Sequence, residues 1–518
     1  MTEQTEFPAG AGCAVHRPLC PEGKAALDLP ADGTCPARHR PFLLVATIIA
    51  SAMALIDATA VTIALPRLQD DLGASFGAVQ WVVNAYALFL GALILVGGAA
   101  GDRFGRRSVF LAGILLFTAA SVACAIAPSV ELLIAARSVQ GLGAALLVPQ
   151  SLAIIAAAYP RDERGRAIGV WAGASAIATA LGPLLGGFLI DTLDWQAVFW
   201  INLPLSALVL YLTLRYVPES KSEANSGPVD WFGGLLAIAA FGALTVGLTL
   251  ASLGEGTGVI SLGALCAGVI LLALFIRHEA RAPNPLMPLW LFGDRVFLGA
   301  NTMTLFLYGA LTVVIFLLPF DLIERRGMSA TQVGLTLLPV GIIIGVLSRF
   351  AGDIADRKGP RALLVIGSLL VAIGAVGLAL GVENYWLGVF VPIVISSLGM
   401  ALVVSPLTTA VMVSAPDDQS GVASGVNNAV SRVAGLFAVA IVGALASFVY
   451  VSEAAAGAVV LDTLRFGALP EAGQPEFAAL ERAFLAAYRA ALLLAAVWAL
   501  LSAAIAFALL GPSRKRQS

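Results

Sequence analysis

The sequence predicts an all-α, polytopic membrane protein of 14 transmembrane helices, and three observations predict it. Hydrophobic residues make up 59% of the chain and charged residues only 12%, against roughly 45–50% and 25% in soluble domains. Water cannot solvate that much apolar surface, so lipid must surround most of the chain. Fourteen stretches are long and apolar enough to cross a bilayer, which takes ~20 residues of helix. A short turn motif also occurs twice, once after the second stretch and once after the tenth.

Taken in order, residues 1–41 come first. They are polar, rich in Pro and Gly, and lack the apolar core of a signal peptide. A disordered cytoplasmic tail is expected, with the first span acting as insertion signal. Cys13, Cys20 and Cys35 share this tail with His16 and His39, but their spacing fits no zinc pattern, so no metal site is expected. The spans follow at 42–65, 79–100, 108–127, 130–158, 167–190, 197–216, 231–252, 257–276, 296–319, 331–350, 361–380, 386–412, 422–450 and 485–510. An even number puts both termini on one side. Most of the 30 basic residues then lie on the side of the N-terminus, which makes that side cytoplasmic.

The repeated motif divides the chain. Gly98-Ala-Ala-Gly-Asp102-Arg103-Phe-Gly105-Arg-Arg107 and Gly352-Asp-Ile-Ala-Asp356-Arg357-Lys-Gly359-Pro-Arg361 both read G-x-x-x-D-R-x-G-x-R. Gly98 to Gly352 is an offset of 254 residues, which carries span one onto span nine. Two six-helix halves are therefore expected, 42–217 and 295–510, joined by a linker, 218–294, that carries two extra helices. Residues 511–518 form a second cytoplasmic tail. Internal repeats of this kind are typical of transporters, whose substrate sites lie between the halves near the bilayer midplane.

Further segments add to this. Leu55-Ile-Asp57-Ala-Thr59-Ala-Val-Thr-Ile-Ala-Leu-Pro66 lies in span one and Gln80-Trp81-Val-Val-Asn-Ala-Tyr86 in span two. Arg137-Ser-Val-Gln140-Gly141-Leu-Gly143 lies in span four, Gly182-Pro183-Leu-Leu-Gly186-Gly187 in span five, and Phe199-Trp-Ile-Asn202-Leu-Pro204 in span six. With these, residues 42–510 resemble the major facilitator superfamily and, within it, the fourteen-span drug–proton antiporter family. One departure is Trp195-Gln196-Ala197, where that family usually carries Trp-Arg-Trp. The resemblance implies a multidrug exporter of the cell membrane that exchanges lipophilic or cationic compounds for protons. It would act as a monomer, without a cofactor. A dedicated exporter of one metabolite or self-made antibiotic is the alternative.

Individual residues carry that expectation. Asp57 is the only acid well inside span one. Ionisable groups at membrane depth cost ~2.5–3.5 kcal/mol on insertion scales and mark functional sites by default. Burial disfavours the carboxylate form, which suits reversible protonation; a helix-end Asp at the outer interface is the other reading. Arg137 needs an anion at similar depth, and Asp57 offers one, directly or through Gln140. The resemblance ties Asp57 and Arg137 to proton coupling. Gly98 and Gly105 permit close helix approach and a tight turn. Asp102, Arg103 and Arg107, with Gly352, Asp356, Arg357 and Arg361 in the second copy, are candidates for gating contacts between the halves. Gly182, Pro183, Gly186 and Gly187 strip bulk from one helix face, a stretch that the resemblance associates with export. Asn84, Tyr86, Gln140, Gln150, Asn301, Asn427, Asn428 and Arg432 are polar groups in apolar helices and form the candidate substrate path.

Other function classes fit less well. None of Lys24, Lys221, Lys358 and Lys515 sits in G-x-x-x-x-G-K-[ST], so ATP is not the energy source. No H-E-x-x-H or G-x-S-x-G is present, which argues against an enzyme. His278 beside Glu279 reads as a solvated cytoplasmic linker. A net charge of −2 gives no reason for a nucleic-acid partner. Small molecules, protons and the bilayer are the expected partners.

Overall fold

Lipid forces each crossing segment to satisfy its own backbone, and the chain does so with helices alone. The computed structural model describes residues 36–221, 229–251, 258–415, 420–456, 466, 474 and 476–510. Cys13, His16, Cys20, Cys35 and the 511–518 tail lie outside them. Among the described residues, fourteen helices are long and apolar enough to cross a membrane. They are α1 (Arg40–Asp71), α2 (Phe76–Phe104), α3 (Arg106–Ala125), α4 (Val130–Ala158), α5 (Arg161–Thr192), α6 (Ala197–Tyr216), α7 (Trp231–Ala251) and α8 (Gly258–Glu279). Then come α9 (Arg295–Phe320), α10 (Ala330–Lys358), α11 (Arg361–Ala379), α12 (Val391–Val413), α13 (Ser420–Ala456) and α14 (Phe477–Leu509).

Every expected span has its helix, in order. Several helices outrun their spans because polar end turns extend beyond the apolar core, as Arg67–Asp71 does in α1. Helix α6 is interrupted at Ile201. Pro204 has no N–H to donate to the Trp200 carbonyl, so one helical bond is missing there.

The duplication is visible in the packing. In the first half α2 and α3 pack on α4, while α5 and α6 pack on α1. A shift of eight helices reproduces each contact: α10 and α11 on α12, α13 and α14 on α9. The halves meet along two seams, α2 with α13 and α5 with α10. Helix α7 leans on both α2 and α13, and α8 packs on α7. The extra pair therefore flanks one seam and leaves the other uncovered.

The α5–α10 seam is closed at one end. Small residues let the backbones touch: Gly187 meets the Ala330 carbonyl, Gly334 meets Pro183 and Gly341 meets Ala180. Asp191 accepts from the α10 amides of Ala330 (3.1 Å) and Thr331 (2.8 Å), a carboxylate set at a helix N-terminus. At the same end Phe76, Phe316, Phe320 and Phe466 stack between the halves. Towards the other end of α5 the stripe continues as Gly173, Gly169 and Gly165, where an added Cβ meets nothing within 4 Å. The bundle is thus shut at the Asp191 end and parted at the Gly105 end.

The expectation for His278 and Glu279 needs correction. Both lie in the last turn of α8, not in a loop. His278 Nε2 stands 2.8 Å from Asp230 Oδ2, and Glu279, buried, accepts from the Met287 amide at 2.8 Å. They lash the end of α8 to the start of α7 and to the following linker.

Candidate functional site

Five helices converge on one carboxylate. Asp57 projects from the middle of α1 and is 1% exposed, which places it in the bundle core and not at an interface. Arg137 projects from α4, is also 1% exposed, and pairs directly with Asp57 Oδ2 through Nη1. That nitrogen also donates to Gln140 Oε1 (2.7 Å), and Nε donates to the Val82 carbonyl of α2 (3.2 Å). The guanidinium carbon lies 4.3 Å from the centre of the Tyr86 ring, within cation–π range. Tyr86 is fixed in turn by donating to the Ala54 carbonyl at 3.1 Å.

The second carboxylate oxygen has its own donors. Gln140 Nε2 reaches Asp57 Oδ1 at 2.9 Å and Asn202 Nδ2 reaches it at 3.3 Å. Asn202 also donates to Ser121 Oγ (2.9 Å), which donates to the Phe199 carbonyl (2.9 Å). Asn202 opens the lower segment of α6 just past the Ile201 interruption. Both Asp57 oxygens and the Nε and Nη1 of Arg137 have partners. This satisfaction makes a buried pair tolerable, because isolated charges there cost several kcal/mol each. Proton arrival at Asp57 would remove the charge that holds Arg137 and leave three donors facing a neutral acid.

The remaining sequence candidates separate by surroundings. Gln140 belongs to the charge node. Gln150 donates to the Gly97 carbonyl at 2.7 Å and ties α4 to α2. Asn427 bridges α13 to α9 through Asn301 (3.2 Å) and Thr304 (2.7 Å). Asn428 is exposed and donates to its own Ser424 carbonyl. Asn84 is fully buried with both amide atoms unpartnered, and Arg432 lies on α13 where it meets Gly91 of α2.

The two turns share their backbone. Gly105 has φ +111° and Gly359 φ +83°, so each closing glycine takes a conformation that side chains resist. Asp102 pairs with Arg106 (2.8 Å), not with Arg103 or Arg107. Arg107 donates to the Leu214 carbonyl (2.9 Å). Glu219 accepts from the Arg107 and Ser108 amides, 3.0 Å each, and so caps α3. These contacts stay within the first half in this conformation. Gly98 is not a close-approach glycine, since its nearest neighbour would be 4.0 Å from a Cβ; Gly97 against Ala145 and Gly101 against Gln150 are. Gly352 does sit tight, since a Cβ added there would stand 2.6 Å from Ser405 Oγ. Arg357 is exposed, Arg361 lies 4.2 Å over the Phe507 ring, and the Asp356 side chain is outside the described set.

In α5, Gly182 and Gly186 face Thr59 and Ala60 of α1, whereas Gly187 and the Pro183 carbonyl face α10. The motif therefore wedges one helix against its own half and the opposite one together. Sequence reasoning gave no role to Asn202, Ser121, Glu219 or Asp191. Asn202 lay inside a quoted segment, and its polarity in an apolar span was the available signal.

Known proteins place these features in context. A sequence profile described as Major Facilitator Superfamily matches residues 47–439. The multidrug resistance protein Stp of Mycobacterium tuberculosis is 34% identical over 409 residues, 79% of this chain and 76% of that protein. The tetracenomycin C resistance and export protein of Streptomyces glaucescens is 33% identical over 455 residues, 86% of this chain and 82% of that protein. Among solved structures, a bacterial homologue of the human lysosomal transporter Spinster superposes with a TM-score of 0.62 at 20% identity. That match covers 90% of this chain and 96% of the other.

Proposed function

The chain belongs to the Major Facilitator Superfamily, a multi-pass membrane transporter and not an enzyme, and from that premise we propose that it exports small lipophilic compounds, drugs or antibiotics among them, in exchange for protons. The reading rests on one observation above all, the buried, hydrogen-bonded Asp57–Arg137–Gln140–Asn202 node. A buried acid paired with a buried base at membrane depth is the arrangement a proton can open and close. The printed names of two relatives, multidrug resistance and tetracenomycin C resistance and export, support efflux as the direction. The second of those names also favours the narrower reading, an exporter dedicated to one compound.

Alternating access supplies the cycle. With both termini cytoplasmic, the parted end at Gly105 faces the cytoplasm of a cell-membrane protein, and the end at Asp191 is shut to the outside. Loading from the cytoplasm would be followed by closure of the Gly165–Gly173 stripe on α10 and release outward. Protonation of Asp57 frees Arg137, and that change biases the return. The halves, the linker pair and the sets of gating and packing residues named above are assigned these parts on the same proposal.

The test is Asp57→Asn in proteoliposomes with an imposed pH gradient. Proton-driven transport is expected to fall at least tenfold, while exchange of substrate down its own gradient persists. Wild-type concentrative export in the Asn variant, at matched protein, would overturn the coupling role.

A further inference from the structure

Arg432 carries a charge that nothing among the described residues answers. It lies on the α13 face that packs on α2, where a Cβ on Gly91 would stand 3.0 Å from the Arg432 Cβ. Gly91 is midway along α2, so this is the depth of the bilayer centre. The side chain is half-buried, and it acts electrostatically on Tyr86 of α2 and Tyr308 of α9. Those two rings place it where α2, α9 and α13 meet, between the halves. Among the described residues it has no ion pair and no hydrogen bond.

The other interior charges do not balance it. Asp57 is buried and already held by Arg137, Gln140 and Asn202. Among the described residues of the second half, Asp and Glu stand within about two turns of a helix end or in the connections between helices. An uncompensated cation at this depth costs several kcal/mol unless an anion joins it. The same seam holds a second anomaly. Gln80 and Asn84 share the α2 face of Gly91, and both are 0% exposed. All four of their amide nitrogens and oxygens lack a partner, although protein interiors satisfy nearly all such groups. Gln80 stands directly against Gly443 of α13. One seam thus combines an unpaired guanidinium with two orphaned amides, whereas the other is lined largely by glycine and alanine, with Asp191 satisfied at its end.

We propose that the α2–α13 seam is the recognition site and selects compounds that carry an acidic group, such as a carboxylate or an ionised phenol, on an apolar scaffold. The proposal rests on the exporter reading and replaces the lipophilic or cationic compounds expected from the sequence with weak organic acids as its substrate class. The guanidinium fork takes a carboxylate with two parallel bonds. The apolar remainder lies among the surrounding helices, and the Asn84 and Gln80 amides meet its neutral polar atoms.

The experiment measures binding to the full-length protein in phosphatidylcholine nanodiscs, without any gradient. Three fluorescent probes share one apolar body: dansylglycine, its uncharged primary amide, and dansylcadaverine, a cation. Wild type is expected to bind the acid at least tenfold more tightly than either of the others. Arg432→Gln should bring acid and amide within about twofold, and Arg432→Lys, which keeps the charge and loses the fork, should fall between. Since Arg432 has no partner to lose, both variants should keep the wild-type elution profile, and the Lys variant decides if the Gln variant does not fold. Equal binding of acid and amide by wild type, a preference for the cation, no acid binding at millimolar probe, or an acid preference surviving in Arg432→Gln would each overturn the proposal. Proton coupling is read separately in the Asp57→Asn test. Loss of coupling with the acid preference intact sinks only the exchange reading, and the reverse sinks only this one.

Discussion

Arg137 shows why one side chain cannot be replaced by another of equal charge. Its guanidinium meets Asp57, Gln140, the Val82 carbonyl and the face of Tyr86 from four directions. A lysine ammonium can follow one or two of these, since it has no planar fork. Arg137→Lys is expected to slow proton-driven export at least tenfold, and Arg137→Ala to abolish it, with Asp57 then left buried and alone at a cost of about 3–5 kcal/mol. Transport rates at matched expression check this, and wild-type rates for Arg137→Lys would show that charge alone suffices. Asp57 and Arg137 could be read from the sequence because single charges are rare in apolar spans. Ser121 and Asn202 could not, because small polar residues are common in such spans and only the tertiary packing of α3 and α6 turns them onto the carboxylate. Arg432 stood out in the sequence as a charge in an apolar span, but its lack of an anion among the described residues was not legible there.

Helix α5 concentrates the argument about elements. Gly187 and Gly334 leave no room for a side chain at the shut end, whereas Gly169 faces open space. Gly334→Leu would push α10 off Pro183, so external labelling of a single cysteine near Asp191 should rise. Gly169→Leu should leave the apparent melting temperature unchanged and still stop transport, because its side chain would obstruct closure of the parted end. Unimpaired transport by Gly169→Leu would mean that this stripe never closes. A second check concerns Glu219, which caps α3 from the end of α6. Glu219→Ala should cost about 1 kcal/mol, the usual worth of a cap, seen as a lowered melting temperature in detergent. The spacing of Gly182, Pro183, Gly186 and Gly187 announced a bare helix face. It did not say that two of these glycines face α1 and the third faces α10, since a face acquires its partner only through the fold.

At the scale of the molecule, the fold class was legible almost completely. A bilayer permits few backbone solutions, and hydropathy marks each crossing. The repeat at Gly98 and Gly352 exposed the duplication, and the packing repeats helix for helix under that shift. The two seams and the open end were not legible, because which helix faces meet is decided only by the tertiary packing. The Asp57–Arg137 pair has one more consequence, for synthesis. Its partners are 80 residues apart, so α1 enters the membrane well before α4 exists to meet it. Until then the nascent chain holds an unescorted acid in lipid, a recognisable flag for the cell's degradation machinery. Fragments ending after α3, near residue 128, should therefore turn over quickly in a pulse-chase, and fragments ending after α6, near residue 216, should persist. Asp57→Asn should lengthen the life of the shorter fragment and leave the longer one with an orphan arginine, reversing the order of survival. Equal half-lives for the two wild-type fragments would show that the pair plays no part in biogenesis.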